Sequence, residues 1–130
     1  MKILFIIARL LLGFIFLVFG LNGFLHFIPM SLPEGVAGQF FGALFASHYL
    51  VIVFLLQLIS GILLLVGRYV PLALTLLGPV IVNILLFHLL MAPSGLALAL
   101  VVFVLWALLV YQYRSVFRGL FQARPQTSGL

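Results

Sequence analysis

Four long apolar runs, separated by short clusters of glycine, proline, serine and charge, set the pattern of this chain. They cover Ile3 to Phe27, Tyr49 to Val66, Pro71 to Met91 and Leu96 to Tyr113. About 20 apolar residues in a helix cross the hydrocarbon of a bilayer, and each run is near that length. No run alternates with the two-residue period of a strand, so helices are predicted throughout. The expected architecture is all-α: a four-helix transmembrane bundle.

The connections differ in kind. Gly67-Arg68-Tyr69 and Ala92-Pro93-Ser94-Gly95 read as tight turns, with Pro71 suited to the first turn of the helix that follows. Ile28 to Ser47 is too long and too patterned for a plain loop. Ser31-Leu32-Pro33-Glu34 reads as a capping box, with Ser31 as N-cap and Glu34 reaching back to it. Leu32, Val36, Phe40 and Leu44 then recur at four-residue spacing, which predicts a short interfacial helix between the first two spans. Beyond Tyr113, the residues Arg114, Phe117, Arg118, Leu120 and Phe121 predict an amphipathic interfacial segment. Residues 1–121 are therefore expected to form one transmembrane domain, and 122–130 a disordered cytoplasmic tail.

Polar residues inside the apolar runs stand out. Pro79 leaves the carbonyl of Thr75 without its helical donor, so a bend is expected there. Asn22 and His26 are one helical turn apart and share a face. Gln57 falls mid-span in the second run, beside the small pair Ser60-Gly61. Asn83 and His88 interrupt the third run at positions about 140° apart around a helix, so they are not expected to share one narrow stripe. Such side chains usually face protein, water or a bound molecule rather than acyl chains. Gly13, Gly20 and Gly23 offer a small-residue face for close helix packing. Arg9 lies near enough to the end of its span to snorkel to the headgroups.

Composition agrees with a membrane protein: of 130 residues, 67% are hydrophobic and only 5% charged, too few to cover a soluble core. The first run is longer than a signal-peptide core and no A-x-A-like site follows, so an uncleaved signal anchor is expected. The absence of cysteine excludes disulfides, thiol redox pairs and cysteine-ligated metal or iron–sulfur centres. The net charge of +5 does not call for nucleic acid. With four spans, Lys2, Arg9, Arg68, Arg114, Arg118 and Arg124 all fall on one side. The positive-inside rule makes that side cytoplasmic, placing both termini there in a bacterial cytoplasmic membrane.

The same topology gathers the remaining polar chemistry on the other side. His26, His48, His88 and Glu34, the one carboxylate of the chain, fall in the outer half, with Asn22, Gln57 and Asn83 deeper. Three histidines and a carboxylate are a conceivable metal set, but no H-x-x-x-H or H-x-x-E spacing supports it, and haem between His26 and His88 is weaker still. A hydrophobic ligand with a polar head, a quinone or another lipid-like molecule, fits better. Apolar walls would bury it, with His26 and His88 as hydrogen-bond or proton-transfer groups, Asn22 and Asn83 as orienting amides, and Glu34 as a gate. Ordinary alternatives stand beside each role: helix capping for Glu34, interfacial anchoring for His48, interhelical bonding for His26 and His88.

One resemblance adds to this. The segments Arg9-Leu-Leu-Leu-Gly13, Phe19-Gly20-Leu21-Asn22-Gly23-Phe24 and Gln57-Leu-Ile-Ser-Gly61-Ile-Leu-Leu-Leu-Val-Gly67-Arg68 resemble the DoxX family of small bacterial membrane proteins, over about Arg9 to Phe117. The resemblance implies a four-helix transmembrane bundle. It also implies one of several roles, because members include quinone-reducing membrane subunits, components of oxidoreductase complexes that deal with oxidative stress, and factors that assist receptor assembly. It maps no catalytic residue onto this chain. The leading expectation is a quinone-binding or lipid-binding subunit serving a membrane or periplasmic oxidoreductase, with self-association open. The alternative is a non-enzymatic scaffold that packs a partner on the Gly13/Gly20 face or on the smooth fourth span. Solute transport ranks lower, since the chain is short and shows no internal repeat.

Overall fold

A computed structural model describes residues 1–29 and 31–129. Among these residues there is no strand, and the chain forms α1 (Lys2–Leu25), α2 (Gly35–Ala46), α3 (Tyr49–Val66), α4 (Val70–Leu90), α5 (Leu96–Gln112) and a single-turn α6 (Arg114–Phe117). Four spans, α1, α3, α4 and the stretch Pro93–Gln112 that includes α5, are long and apolar enough to cross a membrane. Their outward faces carry exposed Ile7, Phe14, Ile52, Ile59, Leu72, Val82, Leu100 and Val104. Such a surface is at home against acyl chains and not against water. The molecule is an all-α bundle of four long helices.

The helices close a ring in which α1 packs on α3, α3 on α4, α4 on α5 and α5 on α1. The α1–α3 seam is the tightest, and its glycines are the reason. A Cβ on Gly20 would stand 2.9 Å from the backbone nitrogen of Leu58, and one on Gly61 would stand 2.7 Å from that of Leu17. Both distances are below ordinary contact, so only glycine permits this approach. Gly13, Gly20 and Gly23 meet Leu64, Leu58 and Phe54 in turn, so the two helices run antiparallel. The small-residue face is therefore consumed inside the bundle, and the expectation that it docks a separate partner is corrected.

Arg9 also departs from expectation. Its Nη1 donates to the carbonyls of Leu64 and Leu65, at the C-terminal turn of α3. Those carbonyls have no helical donor, and a cation there also meets the negative end of the helix dipole. Gly67, at φ 78°, ends α3 beside the guanidinium.

The interfacial helix is present but starts later than the capping box implied. Glu34 is itself the residue before the first turn, exposed and without a side-chain cap hydrogen bond, and Gly35 follows at φ 71°. Proline at 33 restricts the residue before it to extended backbone, so Leu32 cannot belong to a helix begun at Ser31. From α2, Phe40 and Phe41 meet Phe87 of α4 at centroid distances of 6.0 and 5.7 Å.

α4 runs unbroken through Pro79. Trp106 of α5 donates its indole N–H to Leu74 O at 2.9 Å, tying the last two spans together. α5 is the least buried of the four spans, as its unbroken aliphatic surface predicts. After α6 a 3-10 turn covers Arg118–Phe121. Residues 122–129 carry no helix, and Leu130, the end of the expected tail, lies outside the described residues.

The core is unevenly placed. Its buried cluster takes Ala8, Leu12 and Phe16 from α1, Leu64 from α3, six residues between Val70 and Ile81 from α4, and Val102 and Leu109 from α5. Most of them lie toward the end that carries the N-terminus of α1 and the 67–69 turn, while Phe16 and Val102 border the opposite half. The opposite half is hollow.

Candidate functional site

The hollow half is a cavity of about 980 Å³. That is the upper end of the usual size for a small-molecule site. Its walls are apolar and rich in rings, with Phe16, Phe19, Phe41, Phe45, Phe54 and Phe87 among them. All four spans contribute, and α2 covers one side through Phe41 and Phe45. Four of the seven polar residues singled out in the sequence line it: Asn22, His26, Gln57 and His88.

Each polar residue reaches the cavity differently. Asn22 is in the last turn of α1. Its backbone carbonyl accepts from His26 N at 2.9 Å, and its Oδ1 accepts from Ile28 N at 2.7 Å. The side chain thus fastens the chain as it leaves the helix, a structural task that the sequence reading assigned to no residue. His26 follows in left-handed backbone, φ 53°, with its ring tilted against Phe45 at 6.2 Å. It is exposed, at the cavity rim.

Gln57 is the deepest. It lies on α3 eight residues from Tyr49, about 12 Å along the helix at 1.5 Å per residue. Only 7% of it is exposed, and its amide makes no hydrogen bond among the described residues. The amide is not sealed off by protein but opens onto the cavity. Both its N–H₂ and its C=O are available to whatever fills the cavity.

His88 is on the last turn of α4. Its Nδ1 lies 3.0 Å from the carbonyl of Ala92, and its ring sits edge-on to Phe87. Gly95, at the start of α5, makes room for it: a Cβ there would stand 2.3 Å from the imidazole Cε1.

The other three residues are elsewhere. Asn83 is exposed on the outer face of α4, and its Nδ2 donates to the carbonyl of Pro79 at 2.8 Å. An amide one turn after a carbonyl can satisfy its donor on its own helix, so it need not turn inward. Asn83 is thus not an orienting amide of this cavity. His48 is exposed at the start of α3, in left-handed backbone with φ 64°, and does not line the cavity. Glu34 does not line it either, although its neighbours Ser31, Leu32 and Pro33 do. Among the described residues no three His, Asp or Glu side chains group closely enough to hold a metal ion.

One buried polar atom lies outside this set. The hydroxyl of Ser60, fully buried one turn deeper than Gln57, has no hydrogen-bond partner among the described residues.

The fold and the cavity together define a class: a small helical protein with the length and apolarity of a multi-pass membrane protein, hollow at one end. Compared with family models, with curated proteins and with solved structures, the chain matches none.

Proposed function

We propose that this protein binds a quinone or similar lipid-like molecule in the hollow end of its bundle and serves a membrane oxidoreductase system. Gln57 carries the reading: an amide nine-tenths buried, without a hydrogen-bond partner among the described residues, lining an apolar cavity of about 980 Å³. The phenylalanine walls suit a flat ring, and the apolar lining suits its hydrocarbon tail. His26 and His88 stand nearer the rim, where a head group would meet them. The proposed setting is the bacterial cytoplasmic membrane with both termini inside, so that the cavity faces the outer leaflet. The resemblance to the DoxX family, which includes quinone-linked membrane subunits, agrees with this reading.

The scaffold alternative keeps only the exposed face of α5, since the glycine face is spent on α3.

The test is binding of a decyl-chain quinone to the purified protein in lipid nanodiscs. Gln57→Leu is expected to weaken binding about tenfold, the effect of one lost hydrogen bond and a stranded ligand oxygen. Because leucine suits this apolar wall, the variant is expected to keep its fold. His26→Ala and His88→Ala are expected to weaken binding as well. Affinity unchanged in all three variants rules the proposal out.

A further inference from the structure

The hydrogen bond between His88 and Ala92 determines what the cavity rim can read. A carbonyl oxygen only accepts, so in the neutral ring Nδ1 must carry the proton. Nε2 is then a bare acceptor, and among the described residues it has no hydrogen-bond partner. The ring is held in this sense. Turning it over would set a carbon against the Ala92 carbonyl and forfeit the bond. The carbonyl itself is fixed by the turn between α4 and α5, where Ala92 N donates to Phe87 O at 3.1 Å and Gly95 N to Ala92 O at 3.3 Å. The other polar groups impose no such rule. Gln57 offers both a donor and an acceptor, and among the described residues no hydrogen bond fixes the tautomer of His26.

We infer that His88 selects a ligand whose ring bears a hydroxyl, a hydroquinone, over the corresponding quinone. This rests on the reading that the cavity binds such molecules at all. A hydroquinone O–H donates to Nε2. A quinone carbonyl brings lone pair against lone pair at the same point and leaves Nε2 without a partner. A preference for the reduced form raises the potential of the bound couple, by about 30 mV for each tenfold in a two-electron pair. The selection acts through one acceptor atom, so methylating the hydroxyl has the same effect as oxidising it.

The experiment uses the full chain in nanodiscs, without oxygen, at pH 8. Four probes are compared: decylhydroquinone, decylbenzoquinone, decylhydroquinone dimethyl ether and dodecanol. The hydroquinone is expected to bind about tenfold more tightly than the quinone and the ether, and dodecanol no better than the ether. His88→Phe keeps a ring beside Gly95 without the acceptor and is expected to bring hydroquinone and quinone within about twofold. In ¹⁵N-histidine-labelled wild type, His88 is expected to show the Nδ1–H tautomer, with an Nε2 signal that moves on adding hydroquinone and not on adding quinone. That readout needs no variant to fold. Equal binding of hydroquinone and quinone by the wild type overturns the inference while cavity binding stands. A preference that survives in His88→Phe overturns it as well. Dodecanol binding as tightly as the hydroquinone replaces the ring hydroxyl by an aliphatic alcohol and overturns the hydroquinone assignment. Binding of none of the probes overturns the proposed function together with the inference.

Discussion

Two asparagines in this chain do opposite work under the same letter. Asn22 holds Ile28 N and anchors the exit from α1, while Asn83 bonds the carbonyl one turn behind it and faces outward. Removing the first strands a half-buried N–H, and removing the second strands nothing. Asn22→Leu is expected to lower the stability of the detergent-solubilised protein by about 1–3 kcal/mol, and Asn83→Leu to change it by less than about 0.5 kcal/mol. Thermal melts of the two variants check this, and equal losses would contradict it. Spacing alone could not separate the two. Both are amides in apolar helices, and what distinguishes them is which backbone group lies within reach. His88 posed the same difficulty. Its position near the outer end of a span was legible, but its tautomer depends on Ala92, a residue with no polar side chain to flag it.

At the scale of elements, the glycines divide into two kinds. Gly20 and Gly61 sit where a Cβ would press on the backbone of the facing helix, whereas a Cβ on Gly42 of α2 would meet open space. Gly20→Ala and Gly61→Ala are expected to destabilise the bundle. Gly42→Ala is expected to stabilise it by about 0.5–1 kcal/mol, the ordinary gain from replacing a helical glycine. Melting temperatures of the three alanine variants decide the matter, and a fall for Gly42→Ala would contradict the assignment. The four spans and their turns were legible because hydrophobic length is a strong signal. The start of α2 was not. Ser31 and Glu34 have the spacing of a capping box, but Pro33 between them keeps Leu32 extended, and Gly35 takes a positive φ that releases the helix only afterwards. Arg9 was placed near the membrane surface by its sequence position alone. Its true target, the frayed carbonyls of α3, required knowing which helix lies alongside α1.

The whole molecule is polarised twice. Lys2, Arg9, Arg68, Arg114 and Arg118 belong to the end with the dense core, and His26 and His88 to the end with the cavity. The proposed orientation puts the dense end in the cytoplasm. A chain without cysteine makes the check direct: Glu34→Cys in whole cells should react with a membrane-impermeant maleimide, and Arg68→Cys should react only after the membrane is opened. The reverse pattern would invert the topology and turn the cavity toward the cytoplasm. The division into dense and hollow halves was not readable from the sequence, since aliphatic residues of the same kinds fill one half and help line the other. Only the uneven distribution of polar residues hinted at it.

That unfinished half has a consequence for the lifetime of the protein. A guest that fills it acts as the missing part of the core, and any molecule that binds only the folded state shifts the folding balance toward it, by about 2.7 kcal/mol at a hundredfold excess over its dissociation constant. Cells poor in the guest would then leave more of the chain open to membrane proteases, and the amount of protein at steady state would follow the supply of the molecule it holds.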